Sequence, residues 1–350
     1  MTNAIETINA VDLDTGAQLL AEYVNADTPA MLWGPPGVGK SDAVKEAADA
    51  RKIGFIDLRV ATLEAVDLRG LPHVENNIAK WSIPDFFPRE DRDGKEGIFF
   101  LDEINQNRDT FAACYQLVLN RCVGPHKLLP GWRIVAAGNR QGDRANAIKM
   151  PTALNNRLAH IDIAPDVDAW CKWAVRTSQS PLLIALIRWR PELLHIMPGA
   201  EVTVTGVAKP IRFPEDARAF PTPRQWVEAS KHFAAPGHLR PRLVAGLLGE
   251  AIAMEAEGFI RTFLDLPKMA DIMAEPDRAK VPSGPSALFA VSNGIAASAK
   301  PATIAPIMEY SKRLPKEFDF MTGKAIGDMV PMLKETAPYV AWAQRHVESI

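Results

Sequence analysis

Eight residues, Gly34-Pro35-Pro36-Gly37-Val38-Gly39-Lys40-Ser41, restrict this chain more than any other stretch. They fit the spacing G-x-x-x-x-G-K-[ST] at every fixed position. The apolar residues Ala30-Met31-Leu32-Trp33 precede them as a short buried strand, and residues 41–51 follow with a helical pattern. Strand, glycine-rich loop and helix in that order form a cradle for phosphate. Gly37 and Gly39 let backbone N–H groups turn inward at dihedrals that side chains resist. The helix start aims its positive dipole end at the same point. Lys40 reaches the β- and γ-phosphates, and Ser41 offers a hydroxyl to Mg²⁺. Gly34, Pro35, Pro36 and Val38 complete the loop, so ATP with Mg²⁺ is the expected cofactor.

Apolar runs recur at residues 53–60, 98–101, 132–137 and 160–163, with helical patterns at 41–51 and 110–121 between them. Together with Ala30–Trp33 they predict a parallel five-stranded sheet covered by helices on both faces, an α/β sandwich built on the phosphate loop. Beyond residue 163 strands give way to helical patterns at 166–178, 181–190, 223–233, 241–264, 286–297, 303–313, 324–333 and 338–349. Proline- and glycine-rich loops at 197–214 and 275–285 separate them. The expected organisation is a nucleotide-binding domain over 1–164, a helical lid over 165–265, and a helical C-terminal extension over 266–350.

The strand 98–101 ends in Asp102-Glu103, about 60 residues after the loop. Carboxylates at the carboxyl end of a buried parallel strand emerge where open α/β sheets bind ligands. Asp102 is expected to hold the Mg²⁺ that Ser41 also contacts. Glu103 is expected to orient and polarise the attacking water, which makes the chain an ATP hydrolase. The next strand ends at Asn139, whose carboxamide can bond both a γ-phosphate and that water. Arg157, in Met150-Pro151-Thr152-Ala153-Leu154-Asn155-Asn156-Arg157, precedes the last strand. It is the first choice for a cation supplied to a neighbouring subunit's site, with Arg140 and Arg144 as competitors. Arg224 opens the helix Pro223-Arg224-Gln225-Trp226 and could fold a helical lid back over the nucleotide.

With 47% hydrophobic and 23% charged residues and a net charge of −2, the composition is that of an ordinary soluble domain and gives no electrostatic case for nucleic acid. Residues 1–15 are acidic and lack the apolar run of a signal peptide. The most apolar stretch, 181–187, is too short to span a bilayer. A cytoplasmic location without membrane contact is expected. Cys114, Cys122 and Cys171 form no CxxC pair. The histidines have no ligand at zinc spacing.

Taken together, GPPGVGKS, IFFLDE, the strand ending in Asn139, MPTALNNR and FPTPRQW resemble the AAA+ ATPases, and within them the MoxR-type group. These markers span about 190 of 350 residues. The resemblance implies a ring, usually a hexamer, with ATP between subunits and Arg157 acting in trans. It also implies a protein client remodelled or activated by a chaperone, commonly with a von Willebrand A-domain partner. The segment 67–84 resembles the insertion that this group carries in its second helix, which often faces the pore or a partner. Arg140 stands where the group more often has proline. A nucleic-acid-directed motor or loader would share every catalytic residue and is the alternative.

Overall fold

The computed structural model describes residues 10–143, 147–204, 209–264 and 266–346. The chain divides into two compact units, residues 1–165 and 166–350.

The first unit is an α/β sandwich. Its elements are β1 (Ala10–Val11), α1 (Leu13–Asn25), β2 (Ala30–Trp33), α2 (Lys40–Arg51), β3 (Gly54–Arg59), α3 (Ala65–Arg69), β4 (Pro72–Glu75), β5 (Ile78–Trp81), α4 (Glu90–Asp93) and β6 (Glu96–Asp102). They continue with α5 (Phe111–Asn120), β7 (Cys122–Val123), β8 (His126–Lys127), β9 (Gly131–Gly138), α6 (Thr152–Asn155) and β10 (Ala159–Ile163). The main sheet runs β1-β10-β2-β9-β6-β3 and every pairing in it is parallel. All five expected strands are there. A sixth, the two-residue edge strand β1, extends the sheet beside β10, and its shortness hid it from sequence pattern.

The sheet is buried on both faces, which is why its strands read as continuous apolar runs instead of alternating ones. Ile98, Phe100, Leu32 and Val135 face one layer with Leu20 of α1 and Val44 of α2. Phe99, Leu101, Met31 and Ile134 face the other, with Leu117 of α5 and Leu154 of α6. From β2 the chain leaves to β3 at the far edge, returns through β6 to β9 beside β2, and then adds β10 on β2's other side. That order puts the loop after β2 next to the ends of β9 and β6. Two hairpins, β4–β5 and β7–β8, stand outside the sheet. The first fills the segment 72–81 and is exposed along its length, with Val74 75% and Ile78 61% accessible.

The second unit is helical apart from one short antiparallel pair, β11 (Glu201–Val202) with β12 (Ile211–Arg212), in the segment expected to be a loop. Its helices are α7 (Val167–Arg176), α8 (Pro181–Trp189), α9 (Pro223–Ser230), α10 (Arg240–Leu248), α11 (Glu250–Leu264), α12 (Met269–Ala274), α13 (Pro285–Ala297), α14 (Ile304–Ser311), α15 (Lys316–Met329) and α16 (Ala337–Arg345). Its buried side chains form one cluster running from Trp170 to Trp342. The single helix expected over 241–264 is in fact two. Gly249, at φ +86°, takes a left-handed conformation that ends α10, and α11 begins one residue later. No helix among the described residues is long and apolar enough to cross a membrane.

Candidate nucleotide site

The loop Gly34–Ser41 closes onto the first turn of α2. Gly37 and Gly39 sit at φ +77° and +101°, where a side chain would be strained, and Gly39 is the N-cap of α2. The N-cap has no side chain to satisfy the first amides of α2, so these donors point into the loop. Lys40 is 8% exposed. Its ammonium donates to the carbonyls of Gly34 (2.6 Å) and Pro35 (3.0 Å) and to Asn139 Oδ1 (3.2 Å). Ser41 Oγ donates to Asp102 Oδ2 at 2.9 Å. Residues from three separate strand ends, 34–41, 102 and 139, therefore meet in one place.

Parallel registry brings them there. Gly138 of β9 pairs with Trp33 of β2, and the Gly34 amide donates to the Gly138 carbonyl at 3.4 Å, so the chain beyond β9 runs beside the loop. Leu101 of β6 pairs with Ala136 of β9, which puts Asp102 one strand further on. Asp102 is 8% exposed and Asn139 7%. Such buried polar groups require partners, and the contacts above supply them.

Glu103 is half-buried and sits at φ +56°. A non-glycine residue in that region costs about 1–3 kcal/mol and persists only where its surroundings hold it. Here the Glu103 amide donates to Asp102 Oδ1 at 2.9 Å, which ties the turn to the Asp102 carboxylate. The observed strain falls at the residue that the motif singles out as water-activating.

Two residues that sequence reasoning passed over complete the surroundings. Asn105, 1% exposed, donates from Nδ2 to the Asn139 carbonyl at 2.8 Å and so fixes the backbone that carries Asn139. This contact requires glycine at 138, since a Cβ there would lie 2.4 Å from Asn105 Oδ1 and 2.8 Å from Met31 Cε. The glycine before Asn139 was the available signal. Asp57, on β3, is the other. Its carboxyl is pushed above the ordinary 3.8 by burial first, then by the negative charges of Asp102 and Glu103, with Arg59 opposing. Asp57 lies within β3, level with Phe100 and two positions short of Asp102, and the three carboxylates outnumber the Arg59 and Lys40 cations near them. The Ser41 hydroxyl and Asp102 carboxylate supply the hard oxygen donors that Mg²⁺ takes. The left-handed glycines and the Lys40 ammonium suit phosphate equally well.

The arginines separate. Arg140 is committed within its own unit: Nε donates to Asp162 Oδ1 at 2.9 Å and Nη2 to the Ile163 carbonyl at 3.0 Å, tying the end of β9 to β10. Arg157 follows α6, is exposed, and has no ion-pair partner among the described residues. Arg144 lies outside the described residues. Arg224 belongs to the helical unit as the second residue of α9, exposed, with Thr222 as N-cap accepting from the Gln225 amide at 3.2 Å. Two residues on, Trp226 is fully buried and donates to the Leu193 carbonyl at 2.7 Å. That anchor fixes the helix start on which Arg224 is displayed.

No protein-family model matches this chain, and no curated protein does. Among solved structures, it is similar to NtrX from Brucella abortus, at 12% identity and a TM-score of 0.35 over 53% of this chain and 48% of that one. The chain thus spans about half the length of that protein. NtrX in complex with ATP aligns at 11% identity and a TM-score of 0.39 over 96% of this chain and 66% of that one. The RuvB Holliday junction branch migration motor from Thermotoga maritima aligns at 14% identity and a TM-score of 0.38, over 70% and 67% respectively. At such scores these likenesses carry no weight for activity. The chain's own strand order, loop geometry and helical second unit define it as a P-loop α/β fold followed by a helical part.

Proposed function

We propose that this chain is a ring-forming AAA+ ATPase of the MoxR type. In this reading it couples ATP hydrolysis to the remodelling or activation of a protein client, with a von Willebrand A-domain protein as partner. The observation that carries the ATPase reading is the meeting of Lys40, Ser41, Asp102 and Asn139 through hydrogen bonds of 2.9 Å (Ser41–Asp102) and 3.2 Å (Lys40–Asn139). Residues 1–164 then act as the nucleotide-binding domain, 165–265 as the lid and 266–350 as the extension.

ATP–Mg²⁺, when bound, supplies a γ-phosphoryl group polarised for attack by water. The amides at Gly37, Gly39 and the start of α2 receive phosphate oxygens, and Lys40 exchanges its loop carbonyls for the β- and γ-phosphates. Ser41 and Asp102 hold the cation. Glu103 takes a proton from the attacking water, and Asn139, held by Asn105, orients that water against the γ-phosphate. A second cation is then required from elsewhere. The ion pair of Arg140 with Asp162 (2.9 Å) favours Arg157 for that role, offered to the next subunit of a hexamer. Arg224 senses the phosphate from the lid.

Replacing Glu103 by Gln should leave ATP binding intact and lower turnover by ~10²–10⁴-fold. Arg157→Ala should do the same by ~10³–10⁵-fold. Mixing the two inactive proteins should restore a fraction of the activity, because a mixed interface joins an intact Glu103 to an intact Arg157. Full activity of the Gln variant removes Glu103 from the mechanism, and absence of rescue argues against action in trans. For the client, a purified von Willebrand A-domain protein should change its turnover. Stimulation by DNA that disappears as salt rises would instead make it a nucleic-acid-directed motor.

A further inference from the structure

The helical unit contains a cavity of about 420 Å³ where α7, α8, α13 and α15 meet, a size in the range of small-molecule sites. Its walls combine Val167, Phe289 and Met321 with Arg188 and Asn293. Arg188 is the unusual member. Its side chain is only 15% exposed, and its Nε is buried without a hydrogen-bond partner. Its ion pair with Asp168 is loose, at 3.6 Å, and reaches a carboxylate that is itself 77% exposed. Cys171 hydrogen-bonds to the guanidinium but does not compensate its charge, because burial pushes that thiol up to about 11 and keeps it neutral. A guanidinium buried with an unmet donor is costly, and such a group calls for an explanation. Elsewhere in the same unit a buried arginine, Arg240, has a bidentate carboxylate partner at 2.7 and 2.8 Å.

We propose that this cavity binds a small molecule with a single carboxylate and an apolar body. The carboxylate would meet the Arg188 guanidinium in the forked geometry that the pair favours. Asn293, only 2% exposed, spends one Nδ2 bond on the Phe289 carbonyl at 3.0 Å and keeps its remaining amide groups to offer a carboxylate or its neighbouring polar atom. Val167, Phe289 and Met321 accept the apolar part. Arg188 and Lys324 against Asp168 and Asp328 leave the lining without net charge, so a monocarboxylate has the Arg188 guanidinium to meet and a dianion brings a second charge the site does not match.

The probe is 3-phenylpropionate, titrated into the full chain by calorimetry and ligand-observed NMR with excess ATP present to fill the nucleotide site. Saturable binding is expected. The matched alcohol and amine, 3-phenylpropanol and 3-phenylpropylamine, should bind at least about tenfold more weakly, because they lack the charge that Arg188 recognises. Arg188→Gln should weaken the carboxylate by a similar factor and bring it level with the alcohol. Met321→Trp, which fills the cavity and leaves Arg188 in place, should abolish binding of all three. No saturable binding by the unmodified chain overturns the proposal, as does equal affinity for acid and alcohol. If Arg188→Gln does not fold, Met321→Trp decides alone, and unchanged affinity in that variant overturns the proposal.

Discussion

Two charged clusters, one in each unit, are compensated in opposite ways. In the helical unit Glu257 is closed on both sides: Arg240 grips it through two bonds, at 2.7 and 2.8 Å, and Arg261 adds a third at 2.7 Å. Asp319 is likewise surrounded, by the Ser311 hydroxyl at 2.6 Å, His346 at 2.9 Å and the Arg345 guanidinium at 3.3 Å. In the α/β unit buried Asp102 and half-buried Glu103 stand at the end of β6 with exposed Asp57 of β3 near them, three carboxylates against Arg59 and Lys40, and Lys40 turns to carbonyls and an amide instead. A buried charge whose partners cancel it holds the fold together. A group of charges left with a surplus is arranged for something that arrives.

Glu257 offers the most severe test of that contrast. Changing it to Gln leaves Arg240, 7% exposed, without its anion, and should destabilise the helical unit by about 3–5 kcal/mol. Chemical unfolding would measure this. Arg240, through hydrogen bonding, holds the Glu257 carboxyl below its ordinary 4.5, so the pair's contribution is present above that value and lost as pH falls through the lower folded-state value. The Gln variant should lack this acid-sensitive component. An unchanged acid limb would mean that the pair is not the source.

A smaller effect tests the α/β side. Gly138→Ala drives a Cβ to 2.4 Å from Asn105 Oδ1 and should cost about 1–3 kcal/mol of stability, with a loss of turnover out of proportion to it as Asn139 shifts. If turnover follows stability alone, Asn105 and Gly138 only pack. Smallest is Asp57→Asn. Asp57's raised value means that protonation favours the folded state, an advantage complete below 3.8 and lost as pH rises through the raised folded-state value. At neutral pH the Asn variant should therefore be slightly more stable than the parent, and the gain should vanish in acid. It should also bind Mg²⁺ less tightly, titrated with ATP present, since surplus negative charge is what attracts the cation. Tighter binding would count against the carboxylate cluster as a cation site.

Much of this is legible in the sequence, for physical reasons. Residues 34–41 were readable because each position has a local geometric requirement: left-handed glycines, a helix start, a hydroxyl at its first turn. Asp102 and Glu103 were readable because an unbroken apolar run, 97–101, makes the strand end unambiguous. The helix at 241–264 misled because its apolar spacing continues across Gly249, and only the backbone conformation reveals the break. The hairpin β4–β5 lacks the buried apolar face that marks a strand: Val74 and Ile78, which the register puts on opposite faces, are both exposed.

Residue order is enough to specify the phosphate loop, the strand ends that carry the acidic pair and Asn139, and the change from α/β to helical character near residue 165. These depend on neighbours within a few residues, and local spacing encodes them. Other features came only with the folded chain: Arg140 is spoken for by Asp162 while Arg157 stays exposed, Asn105 holds the backbone of Asn139, and Asp57 joins Asp102 and Glu103. Arg140 and Asp162 are 22 positions apart and Asn105 and Asn139 are 34 apart, and the strand order β10-β2-β9-β6-β3 brings them together. Charge balance at a site is a property of that three-dimensional neighbourhood, and no window along the chain contains it.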